Sequence, residues 1–436
     1  MKKFLAILMM ALALAPVFAQ GGGEKADDGD VVQLEWWTWD PLLEDMNNEI
    51  IARFEAENPG IKVTQKMVDT KDYWTKIRIQ ATQNKLPDVM TMSSGYLEEW
   101  SKQGLLYNLD EFVYNDDTFE IFYKSVLDSA KGISGTDHYY AIPFAQVCSV
   151  MFYNRDMFDA AGIPYPTSDW TWDDFRAAAK ALTLDKDGDG KTDQWGFWHL
   201  GRYAHVEPFV FANGGNYVNK DTMRFEPDEN AIEALTFLSD LTLKDKVSPL
   251  PKDMSALKQE DVFPNQLCAM WVDGSWQVDT FRRTVDFNWG ICKVPSGPHG
   301  TNAVAYAWPD SYAIAANTKH PEEAWKFARY VAGEGISLDF YMAGKIPSCK
   351  ALLNDPKFVD LDKLPGAEME ILKDIASGEM VSSYTMGWGE WRGYGGAESL
   401  GFQGAYNAYL NGEMTFDEAI TYIRNQADKV LARYYK

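Results

Sequence analysis

Cysteine and histidine are scarce in this sequence, four of one and five of the other in 436 residues. The cysteines, Cys148, Cys268, Cys292 and Cys349, are widely spaced with no CxxC pair, and the histidines show no ligand spacing, which argues against a zinc site. No Ser/His/Asp or Cys/His constellation and no phosphate-binding glycine loop stands out, so an enzyme has little to rest on. Cys148 and Cys268 sit in apolar, strand-like runs and fit buried thiols, although an exported chain also permits disulfides; both outcomes stay open. Apolar runs are short too: the N-terminal one is too short to span a bilayer comfortably, and nothing later reaches the ~18 residues of a membrane span. Positive charge is short. Lys and Arg number 41 against 64 Asp and Glu, a net charge of −23, which argues against a nucleic-acid or anionic-membrane partner.

What is present begins with a leader. Lys2 and Lys3 precede an apolar stretch from Phe4 to Leu14 and the small-residue site Val17-Phe18-Ala19, the pattern of a removable signal peptide over residues 1–20. Residues 21–30, GGGEKADDGD, read as a flexible polar leader. The expectation is an exported chain, periplasmic or extracellular, soluble after cleavage and without a lipid-anchored cysteine. The rest is too long for one core and should divide into two lobes.

The chain is organised around Val31 to Asp40, a β-branched and apolar run ending in Trp36, Trp37, Trp39 and Asp40 before Pro41 and a helical pattern. In open α/β sheets ligands sit outside the carboxyl ends of strands, at such a strand-to-helix turn. Core filling is the usual fate of a tryptophan. Three within four residues cannot all face inward on a strand of period two, so at least one should face a cleft or solvent.

Further on, Leu42, Leu43, Met46, Ile50, Ile51 and Phe54 recur at helical spacing up to Asn58-Pro59-Gly60, and Ile61, Val63 and Met67 alternate as a strand. Tyr73 to Asn84 is helical, a strand starts at Leu86, and Thr91 to Gly95 forms a small polar turn before a helix from Tyr96 to Gln103. This alternation predicts a largely parallel sheet with helices on its faces. Val147 to Asn154 is extended, and Pro143 lies where a chain can cross between lobes. Thr171 caps one helix and Thr415-Phe416-Asp417-Glu418 is a capping box for the last. Cys268 to Trp276 reads as a buried strand ending in Asp273-Gly274-Ser275-Trp276, and Met386 to Gly396 as a glycine-rich aromatic loop against a ligand.

Asp185, Asp187, Asp189 and Asp193, with Gly190 at the sixth position, match the start of a calcium loop. The twelfth position is Gly196, so the bidentate glutamate is missing. A structural Ca2+ stands here beside a plain acidic surface turn; no cofactor is required.

Together the segments resemble the family 1 extracellular solute-binding proteins of ABC importers, the maltose-binding-protein-like group. The resemblance rests on Trp36-Trp37, Leu86-Pro87-Asp88-Val89, Tyr153-Asn154-Arg155-Asp156-Met157-Phe158, Thr171-Trp172-Asp173-Asp174, Asp187-Gly188-Asp189-Gly190 with Trp195-Gly196-Phe197, Ala269-Met270-Trp271 with Gly274-Ser275-Trp276, and His320-Pro321-Glu322-Glu323-Ala324-Trp325. It implies a periplasmic binding protein-like α/β fold, two lobes joined by crossing hinge strands. Residues 31–143 and 291–345 would form the N-terminal lobe, 144–290 and 346–436 the C-terminal lobe. A carbohydrate, an oligosaccharide by the abundance of tryptophan, would sit in the cleft and reach membrane permeases by hinge closure of a monomer. By position the cleft would take Trp36, Trp37, Trp39, Asp40 and Ser94 from one lobe, with Trp308 and Asp310 from its return. Asn213, Trp271, Asp273, Trp276, Trp388, Glu390 and Arg392 would come from the other. Rings would stack on the apolar sugar face, with carboxylates and arginine fixing hydroxyls. Arg392, Arg202 or Lys345 would serve if the sugar were a uronate. The alternatives are an exported glycoside hydrolase using two carboxylates, such as Asp40 with Glu390 or Asp273 with Asp310, and a binding protein that reports to a chemoreceptor or sensor.

Overall fold

The computed structural model describes residues 31–435, apart from 40, 123, 133–135, 301–303, 334, 336–344, 354, 359–362, 378, 382–383 and 395–400. The leader and Asp40 lie outside the described residues.

Strands β1 (Val32–Thr38), β2 (Ile61–Met67) and β3 (Val89–Ser93) run parallel, with β1 between the other two. Helices α1 (Glu44–Glu57) and α2 (Thr70–Thr82) make the crossovers, and α3 (Ser94–Lys102) leaves the carboxyl end of β3. The long β4 (Ala141–Asn154) ties the halves of the molecule together. Its first part pairs with β8 (Val304–Ile314), and its second part, Ser149–Tyr153, with β6 (Cys268–Gly274). β5 (Trp195–Trp198) completes the second half beside β6. β7 (Trp289–Cys292) pairs with Met151–Asn154 of β4. The sheet is mixed rather than largely parallel, because β8 and β6 both run against β4. Pro143 stands opposite Ser311, where the register slips. Its missing N–H cannot join the ladder, so an irregularity belongs there.

Period-two alternation sends Trp36 and Trp37 to opposite sides of β1. Trp36 packs edge-on against Tyr312 and Phe327 in the core under α1, with Ile50 and Phe54. Trp37 joins Tyr73, Trp74, Met90 and Met92 in a second core under α2 and α3. The helix Pro321–Ala332 starts with proline at N1 and buries Ala324, Phe327, Ala328 and Val331 along one face. Each large apolar side chain so buried contributes roughly 1.5–3 kcal/mol. The capping boxes of Thr171 with Asp174 and Thr415 with Glu418 are both formed. All four cysteines are buried free thiols. Burial pushes those of Cys148 and Cys292 up to about 12.

Candidate functional site

A cavity of about 300 Å³ lies between the lobes, at the carboxyl ends of β1, β3 and β6. Trp39, Thr70 and Ser93 line it from the first lobe; Arg202, Tyr203, Trp276 and Thr280 from the second. Val147, Trp308 and Asp310 come from the crossing strands, and Lys345, Tyr384, Trp388 and Tyr394 close the wall.

The rings form a connected set. Tyr203 sits at the centre, edge-on to Trp308 at 5.8 Å, Trp388 at 5.3 Å and Tyr394 at 5.4 Å between centroids. Trp276 meets Trp308 at 5.9 Å, and Tyr384 meets Trp388 at 4.7 Å. Trp39 rests on Tyr73 and Trp74 at the opposite wall. Trp276 folds back over Gly274 so closely that a Cβ there would lie 1.9 Å from the indole, so only glycine fits at that position.

The polar groups are held from behind. Arg202 precedes the helix Tyr203–Phe211, and its Nη1 donates to both oxygens of Asp273 at 2.7 Å. Asp273, the next-to-last residue of β6, has no exposed surface and also accepts from Gln277 Nε2 at 3.1 Å. Burial draws the Arg202 guanidinium down, but the adjacent Asp273 carboxylate outweighs that and holds it above its ordinary value.

Of the residues expected at the site, Trp39, Trp276, Trp308, Asp310 and Trp388 line the cavity, and Asp273 stands directly behind its wall. Others are elsewhere. Trp36 and Trp37 fill the two cores of the first lobe, because adjacent strand positions face opposite sides of the sheet and both sides are covered. Trp271 points from β6 into a cluster with Phe152, Trp198 and Phe281, three residues before the strand end. Asn213 is buried as a clamp, donating to Asn230 and Glu233 and accepting from the His299 N–H. Ser94 donates to the Pro309 carbonyl at 2.7 Å, and its neighbour Ser93 faces the cavity instead.

Residues 388–392 form a helical turn between Gly387 and Gly393, both with positive φ, rather than an open loop. Its turn aims Trp388 at the cavity and Glu390 outward to Arg433. Arg392 points inward, fully buried, to Glu207 and the Gly201 carbonyl. Sequence reasoning missed Tyr203, Thr70, Thr280, Tyr384 and Tyr394. Tyr203 was within reach of the rule used for Trp39, since it too follows a strand and opens a helix.

In the acidic turn, Asp185, Asp187 and Asp193 each bring a carboxylate oxygen within 4.8 Å of the others, a donor set suited to a hard cation. Asp189 stands apart; its oxygens take the Lys191 N–H and ammonium.

Residues 29–336 match the profile of the bacterial extracellular solute-binding protein family. The multiple sugar-binding protein of Streptococcus mutans is 25% identical over 327 residues, covering 72% of this chain and 74% of that protein. Among solved structures, an ABC substrate-binding protein from Listeria monocytogenes in complex with cycloalternan superposes with a TM-score of 0.79 at 24% identity, covering 92% of this chain and all of that one. The maltose/maltodextrin-binding domain of Bdellovibrio bacteriovorus bound to maltotriose follows with a TM-score of 0.71 at 21% identity, over 91% and 99% of the two chains. They share the two-lobed fold. Among the described residues no helix is long and apolar enough to cross a membrane.

Proposed function

The chain belongs to the bacterial extracellular solute-binding protein family, and we propose that it is the capture component of an ABC importer whose ligand is a short oligosaccharide. The observation that carries this is the make-up of the cavity. Indole and phenol rings from both lobes surround a few fixed polar groups, the combination that stacks on a sugar's apolar face while bonding its hydroxyls. A volume of about 300 Å³ falls at the low end of the range of small-molecule sites, ~300–1,000 Å³, which favours a few sugar rings over a long chain. Sugar-binding relatives of the same fold support the ligand class. Because both lobes contribute walls, a ligand held between them favours the closed arrangement, and that closed surface is what permeases would meet.

A glycosidase would need two carboxylates flanking the bond, one of them a proton donor. Asp273 is committed to Arg202 and Gln277, and Glu390 to Arg433 on the outer surface. Calorimetric titration with an oligosaccharide panel, with chromatography of the mixture afterwards, tests the proposal. Saturable binding with the sugar recovered intact supports it; binding of peptides or polyamines alone, or cleavage of the sugar, overturns it.

A further inference from the structure

Three cations lie close enough to the cleft to meet an acidic ligand. Arg392 is 1% exposed and bonded to the fully buried Glu207. Arg202 gives its Nη1 to both oxygens of Asp273, itself 0% exposed and steadied by Gln277. Its guanidinium lies 5.4 Å from the ring of Tyr203 and 5.8 Å from that of Trp276, both lining the cavity. The remaining donors, Nη2 and Nε, bond no described residue, and the side chain keeps 16% of its surface exposed. Lys345 is the third cation, and the same wall carries Asp310.

We infer that the Arg202–Asp273 pair makes this cleft selective for uncharged saccharides, with Arg202 as a charge-neutralised hydrogen-bond donor and Asp273 as the residue that positions it; the inference rests on the carbohydrate function proposed above. A hydroxyl or ring oxygen accepts from Nη2 or Nε and asks for no net charge. A uronate carboxylate meets the same donors but brings a charge that nothing left over in the wall offsets. Among the described wall residues and those directly behind them, two cations face two carboxylates, so an added anion finds no excess positive charge. On Nη2 and Nε it would share a guanidinium charge that Asp273 already neutralises, leaving a net negative charge in a largely desolvated site. Contact with two rings holds the planar guanidinium in the wall, leaving a fixed edge rather than a swinging charge.

The test is calorimetric titration of the full chain with neutral di- and trisaccharides of glucose and galactose, and with saccharides of the same linkage carrying glucuronate or galacturonate. The expected result is that a neutral saccharide binds at least about a hundredfold more tightly than its uronate counterpart. A uronate that binds as well or better overturns the inference and leaves the carbohydrate function standing. Failure of every saccharide overturns both.

Asp273→Asn then locates the selectivity. With the guanidinium charge released, the preference for the neutral ligand narrows by at least about tenfold. An unchanged preference in a folded D273N protein, judged by circular dichroism, overturns the assignment to this pair. If D273N does not fold, Arg202→Gln serves instead. It removes the donors and keeps the carboxylate, so neutral-saccharide affinity falls at least about tenfold while uronates stay excluded. Unchanged neutral affinity overturns the inference.

Discussion

Gly389 and Tyr96 meet across the seam between the lobes so closely that a Cβ on the glycine would lie 2.3 Å from the tyrosine hydroxyl. The contact is answered from the other side, where a Cβ at Gly95 would reach Trp388 at 3.1 Å and Tyr384 at 3.4 Å. Trp388 and Tyr384 also line the cavity, so the seam and the ligand wall share side chains. Two missing side chains let α3 and the 388–392 turn close on each other.

Gly389→Ala therefore works against the closed arrangement by pressing on Tyr96. Ligand affinity is expected to fall by about tenfold or more, an opposing cost of at least ~1.4 kcal/mol. Calorimetry measures it, with small-angle scattering to show the ligand-induced decrease in radius of gyration becoming smaller. Unchanged affinity and compaction would mean that the seam plays no part in closure.

Trp276 is the cavity ring least needed by the fold. It is partly exposed and held by Gly274 behind it and Trp308 beside it. Trp276→Ala is expected to weaken saccharide binding by about 2 kcal/mol or more, as truncation of an aromatic anchor does, with little change in unfolding midpoint. A variant that loses stability but keeps its affinity would place this ring in the core instead.

Arg392 and Glu207 present the opposite case. Both are fully buried and bonded to each other beneath the cleft rather than in it. Breaking a buried pair strands the surviving charge and typically costs ~3–5 kcal/mol. Glu207→Gln should lower stability in urea denaturation toward that extent, and ligand affinity of the folded fraction should change little. An affinity loss without a stability loss would return Arg392 to the binding surface.

His199 and His205 lie in the second lobe near these residues, with their Nε2 atoms buried and without a partner among the described residues. Burial lowers His199 to about 3 and, aided by the Arg202 charge, takes His205 well below its ordinary value. Both are neutral when folded and titrate near ~6.5 when unfolded. Their contribution is therefore complete above pH ~6.5 and is lost as pH falls toward the folded values, each by up to ~1.4 kcal/mol per pH unit. His205→Gln should flatten the fall in stability between pH 7.5 and 5.5, measured by urea denaturation. An identical pH dependence would contradict neutral burial.

How much of this was legible depended on distance along the chain. Signals that act within a few residues were readable: the alternation of β1, the proline start of helix 321–332 and the two capping boxes. Trp39 was readable as a cleft residue because period two leaves room for only part of a tryptophan run inside. What lay between distant segments was not. Arg392 finds Glu207 185 residues away, and Asn213 meets His299 86 residues away, and nothing local marks either as structural. Ser93 and Ser94 show the finer failure. Their turn was identified, but the pleat and the helix start decide which hydroxyl faces the ligand.

The most direct test of the central claim is a thermal-shift screen of the chain against an oligosaccharide panel. A ligand that binds only the folded state adds RT ln(1 + [L]/Kd), about 2.7 kcal/mol at a hundredfold excess over Kd. A large shift from one sugar or a few related sugars, much reduced in Trp276→Ala, is the predicted result. A panel in which no sugar shifts the midpoint while peptides or polyamines do would contradict carbohydrate capture in this cleft.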